Sequence, residues 1–166
     1  MPPWSRRRTG IVGGAVAAGL LIAGLSLVFV PGEYSVNSAP DGGSRQCASV
    51  VAELPESVVG EGKRETTGPG TAAWGDGRIV LRCGVPPLSP TANLCVDVDG
   101  VDWVLDEARA RGSDARVLTT YGREPAIEVT VRDSSVSPGD VLVDLGRAVG
   151  KISQGDHRCV SLDDMP

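Results

Sequence analysis

The sequence predicts an α+β fold: a mainly antiparallel sheet of about five strands, with a short N-terminal and a longer C-terminal helix on one face, stapled by two disulfides. Three observations predict it. Apolar residues alternate with polar or mixed ones over residues 78–84 and 126–132, the period of a strand buried on one side. A capped amphipathic pattern follows over 137–152. Four cysteines, Cys47, Cys83, Cys95 and Cys159, are spread over the same region.

The first helix is expected over Gln46–Leu54, where residues 47, 50, 51 and 54 are apolar at helical spacing and Pro55 stops the run. Lys63–Thr67 reads as a strand, ended by Gly-Pro-Gly at 68–70. Gly75-Asp76-Gly77 is a tight-turn signal. It leads into Arg78–Gly84, where Ile79, Leu81 and Cys83 share one face. Val85–Asn93 carries three prolines and reads as a loop. Leu94–Val98 and Val101–Leu105, joined by Asp99-Gly100, read as a hairpin. A helix over Val101–Arg111 competes for the second half. Arg116–Tyr121 and Ala126–Arg132 supply two further strands; on the second, Glu128, Thr130 and Arg132 share the face opposite Val129 and Val131. Ser137 at an N-cap with Pro138 behind it opens the last helix, whose apolar stripe is Val141, Leu142, Leu145, Val149 and Ile152.

The N-terminal segment divides the chain. Residues 1–10 hold Arg6, Arg7 and Arg8 and no acid; residues 11–30 carry no charge. About 20 apolar residues suffice for a membrane-spanning helix, and flanking arginines stay in the cytoplasm. The expectation is a single-pass protein of the plasma membrane with its N-terminus inside: a basic N-terminus over 1–10, a signal anchor over 11–30, a flexible linker over the Gly-, Pro- and Ser-rich residues 31–45, and an extracytoplasmic domain over 46–163. The apolar run exceeds the usual length of a cleaved h-region, so an anchor is preferred to a cleaved signal. Cys47 follows Ser44-Arg45-Gln46, which is not a lipidation context.

From Pro31 onward the chain has 21 acids against 13 bases, a net charge of −8. This argues against nucleic acid as a partner. An even number of cysteines outside the cytoplasm reads as disulfides. Pairing Cys83 with Cys95 would pin the proline-rich loop, and Cys47 with Cys159 would tie the first helix to the tail. The other two connectivities are compatible with the sequence.

The motifs WGDGRIVLRCG at 74–84, VDW at 101–103 and TTYGREPAIEV at 119–129 resemble an uncharacterised family of actinobacterial membrane-anchored or secreted proteins, a domain of unknown function. The resemblance covers roughly residues 46–160. It implies an envelope location in a Gram-positive, high-GC bacterium and supplies no activity.

In a chain with six aromatic residues, Trp74, Trp103 and Tyr121 stand out beside Arg82, Arg123 and Glu128. As a shared surface they would offer aromatic platforms and guanidinium forks for a carboxylate or phosphate. As structure, the aromatics would pack the core while Arg82 or Arg123 pairs with Glu128 across strands. Asp97, Asp99 and Asp102 lack the glycine and glutamate placement of a calcium loop, and the lone His157 has no nucleophile motif near it. The sequence therefore predicts no metal, no cofactor and no catalytic residue. It points to a non-catalytic cell-envelope binding or accessory module whose partner is an envelope protein or a cell-wall component. The competing reading is a cell-envelope hydrolase using a carboxylate pair such as Asp102 and Glu128.

Overall fold

The computed structural model describes residues 32–111 and 113–160. The basic segment and the apolar run at 1–30 lie outside the described residues; among the described residues, no helix is long and apolar enough to cross a membrane.

The chain order is α1 (Arg45–Glu53), β1 (Ser57–Val58), β2 (Glu61–Arg64), β3 (Thr71–Trp74), β4 (Ile79–Val85), β5 (Cys95–Val98), β6 (Val101–Leu105), α2 (Glu107–Arg111), β7 (Arg116–Thr120), β8 (Ala126–Val131) and α3 (Pro138–Val149). The strands form one sheet of eight, in the order β1-β2-β3-β4-β8-β7-β6-β5, with every neighbouring pair antiparallel.

The class is the expected one, and the expected count of five strands is wrong. β3 is the instructive omission. Its sequence is Thr-Ala-Ala-Trp and all four residues are buried. A strand covered on both faces shows no apolar–polar alternation, and alanine has little strand preference of its own. β1 has only two residues, too few to show a period. The 101–111 segment contains both competing readings in sequence: strand β6, then the single-turn helix α2. The β5–β6 hairpin turns through Asp99 and Gly100, both at positive φ (51° and 78°), the geometry that Asp-Gly favours.

α1 and α3 cover one sheet face. Ser44 caps α1 by accepting from the Cys47 amide, and Ser137 caps α3 by accepting from the Asp140 amide. Val141, Leu142, Leu145 and Val149 are buried against Ile79, Leu81, Val129 and both core tryptophans. At about 25 cal/mol per Å² of apolar area removed from water, burial of this kind is the main favourable term holding the layers together.

The disulfides are Cys47–Cys83 and Cys95–Cys159, not the expected Cys83–Cys95 and Cys47–Cys159. The topology explains the error. The proline-rich loop carries the chain from β4 to the far edge of the sheet, so β8, β7 and β6 separate Cys83 from Cys95. Four interstrand steps are about 19 Å, well beyond the roughly 7 Å that a disulfide tolerates between Cα atoms. Cys83 faces the helices and meets Cys47 on α1; Cys95 meets Cys159 of the tail. The bonds close separations of 36 and 64 residues, each worth about 4 kcal/mol on the chain-entropy account.

The expected flexible linker also differs. From Tyr34 onward it packs along the sheet. The Tyr34 amide donates to Glu65 O at 2.7 Å, the Thr67 amide to Tyr34 O at 3.3 Å, and Val36 and Ala39 are buried. Its turn passes so close to β4 that a Cβ on Gly84 (φ 96°) would meet Asp41 and Gly42 backbone atoms at 2.3 Å. Its composition marked this segment as a flexible linker; it did not reveal that Tyr34, Val36 and Ala39 would dock.

Candidate functional site

The six residues singled out by sequence fall into two groups. Trp74 and Trp103 are fully buried between the sheet and the helices. Trp74 Nε1 donates to Pro55 O at 3.1 Å. Tyr121 is buried and stacks on His157, ring centroids 5.6 Å apart. Arg123 is 5% exposed; it donates through Nη1 to Ile152 O and through Nη2 to Gly100 O at 3.2 Å. Desolvation pushes its pKa down, and the nearby Asp102 carboxylate opposes that shift. These four side chains hold layers and tail together rather than forming a surface.

Arg82 and Glu128 are the pair that the structure brings to an accessible place. They sit directly opposite each other in the β4–β8 register, on the face away from α1 and α3. Arg82 Nη1 donates to Glu128 Oε1 at 3.2 Å and Arg82 Nε to Asn37 O at 3.1 Å. Arg109 on α2 donates to the other carboxylate oxygen, Oε2, at 2.6 Å. α2 has no buried residue, so this contact ties it to the sheet.

These residues stand at one end of a groove of about 570 Å³. Its floor is Val80, Val117 and Thr130; one wall is the extended segment Tyr34–Asn37, and the other is α2 with the turn at Ser113–Ala115. Arg132 lines the opposite end and donates to Gly77 O at 3.0 Å. Three guanidiniums and one carboxylate therefore line the groove, in a domain that is otherwise acidic.

Sequence reasoning missed Arg109, Arg132 and the Tyr34–Asn37 wall. Arg132 was legible as a residue sharing a strand face with Glu128. Arg109 and the wall depend on long-range packing and left no local signal.

The suggested carboxylate pair is not assembled in the groove. Among the described residues, Glu128 is the only carboxylate lining it, and both its oxygens accept from arginines. Asp102 is buried over β6, where Oδ2 accepts from the Cys159 amide at 3.0 Å and from Gln154 Nε2 at 3.5 Å. Asp97 Oδ1 accepts from the Gly100 amide at 3.3 Å, closing the hairpin turn. Among the described residues, no cluster of three or more His, Cys, Asp or Glu is placed to hold a metal ion.

Comparison with known proteins places the chain in a family. It belongs to the family described as Protein of unknown function (DUF3515), whose profile matches residues 14–156. No curated protein and no solved structure matches it.

Proposed function

We propose that this protein is a membrane-anchored, non-catalytic binding or accessory module of the cell envelope, and that the groove over β4 and β8 is its working surface. The 20 uncharged residues at 11–30 anchor it, with Arg6–Arg8 inside and the disulfide-bonded domain outside. The observation that carries the binding reading is the composition of the groove. Arginines from β4, from α2 and from just after β8 line it, while Trp74, Trp103 and Tyr121 are buried. Arginine is the side chain suited to hydrogen-bonded recognition of anionic groups.

The test is photo-cross-linking in the native host. A photoreactive residue at exposed Ser35, on the groove wall, is expected to trap a discrete partner. The same group at exposed Ser49, on α1, is the control. Identical products from both positions would sink the assignment of the groove. External protease that fails to reach the domain in intact, wall-stripped cells would sink the topology.

A further inference from the structure

The groove is also a partial strand-pairing site. Tyr34 and Val36 turn their amides toward Glu65 and Thr67. In an extended segment the intervening residues face the other way. All four residues, Tyr34 to Asn37, line the groove, and the Asn37 carbonyl accepts from Arg82 Nε within it. Among the described residues, the Ser35 amide and carbonyl and the Asn37 amide have no hydrogen-bond partner. An unpaired strand edge beside a groove is what an added peptide strand uses.

The floor supplies a matching pattern. Glu128, with Arg82 and Arg109 on its carboxylate, marks one end, and Arg132 lies four residues further along. That spacing is about 13 Å along an extended chain. Between them lie Val80, Val117 and Thr130. On a bound strand, side chains at i, i+2 and i+4 would point down at steps of about 6.6 Å. The first and last would meet guanidiniums and the middle one an apolar floor. The ends together carry three positive charges and one negative, a net +2, which complements two carboxylates. A long polyanion fits less well, because the domain beyond the groove is acidic and screening in physiological salt acts over about 8 Å.

We propose that the groove takes an extended acidic peptide of a partner protein, with an acid–x–apolar–x–acid pattern, added as a strand beside Tyr34–Asn37. This rests on the binding reading above and specifies its ligand. Arg82 and Arg109 exchange part of their contact with Glu128 for the incoming carboxylate, and Arg132 takes the second.

The test uses the full chain in detergent micelles and a dye-labelled, blocked heptapeptide, acetyl-TETVTET-amide, read by fluorescence anisotropy. Saturable binding is expected, weakened at least about tenfold in acetyl-TQTVTQT-amide and about tenfold by Arg82→Ala or Arg132→Ala, as one charge-assisted contact is lost each time. Arg78→Ala removes an exposed arginine paired with Glu61 and Asp133 outside the groove lining, and should leave binding unchanged. Equal binding of the glutamine peptide, insensitivity to Arg82→Ala, or no binding of the acidic peptide overturns the proposal. So does saturable binding of inorganic pyrophosphate, lost in Arg82→Ala, by a protein that does not bind the acidic peptide. If the peptide fails while Ser35 still cross-links a partner, the acidic-strand assignment falls and the binding reading stands.

Discussion

Replacing Arg123 by alanine separates a structural arginine from a functional one. The wild-type side chain is 5% exposed and bridges two parts of the chain: Gly100 O in the hairpin turn and Ile152 O after α3. Alanine removes both donors. A hydrogen bond to a charged group is worth about 1.5–3 kcal/mol, and a carbonyl left without a partner costs a comparable amount. Gly100 is exposed and regains water; Ile152 is buried and its carbonyl is less easily resolvated. The desolvation that lowers the Arg123 pKa already weighs against the wild type and offsets part of the loss. The expected destabilisation is about 2–4 kcal/mol. For a domain of this size that is a fall in Tm of roughly 8–15 °C. Arg82→Ala should lose only about 1 kcal/mol, because Glu128 keeps Arg109 and the Arg82 head is partly solvated. Thermal and urea unfolding, with both disulfides oxidised, measure the two side by side. An Arg123→Ala protein as stable as wild type, or more stable than Arg82→Ala, would refute this division of roles.

Three further outcomes are expected. Mild reductant on the folded protein should open Cys95–Cys159, whose cysteines are half-buried, before Cys47–Cys83, whose cysteines are both fully buried; alkylation and peptide mapping report the order, and simultaneous opening contradicts it. Asp133 accepts from the Ser135 hydroxyl and amide and lies 3.5 Å from Arg78, and the Ser135 hydroxyl is the main cause of its lowered pKa. The contribution of such a carboxylate is present above its unfolded pKa and lost as pH falls through the folded one. Ser135→Ala should therefore raise the Asp133 pKa toward the ordinary range in a carbon-detected NMR titration, and an unmoved pKa would exclude the hydroxyl as its cause. Gly122→Ala should loosen the tail, because φ is 73° and the new Cβ would meet His157 O at 2.0 Å; faster amide exchange over residues 153–159 is the readout, and unchanged exchange is the contrary result.

Local chemistry made part of this molecule legible. The Ser137-Pro138 cap, the stripe through Val141 and Leu145, and the Asp99-Gly100 turn each act within a few residues, and the structure follows them. The facing of Arg82 and Glu128 was available as one of two pairings. The strand β3 was hidden because burial on both faces erases the period of two. The cysteine pairing was hidden because it depends on where the proline-rich loop delivers β5, which is a property of the whole sheet. The same holds for the groove. Its floor is written in β4, β7 and β8, while its walls come from residues 34–37 and from Ala108, Arg109, Ser113 and Ala115, distant in sequence and brought over the sheet by tertiary packing.

The claim that the groove is the working surface is tested most directly by repeating the Ser35 cross-linking in an Arg82→Ala background at matched protein level. The account predicts that the wild-type partner band disappears from a protein that remains folded and disulfide-bonded. An undiminished band from Arg82→Ala would contradict it, because the partner would then be held by something other than the arginines of the groove.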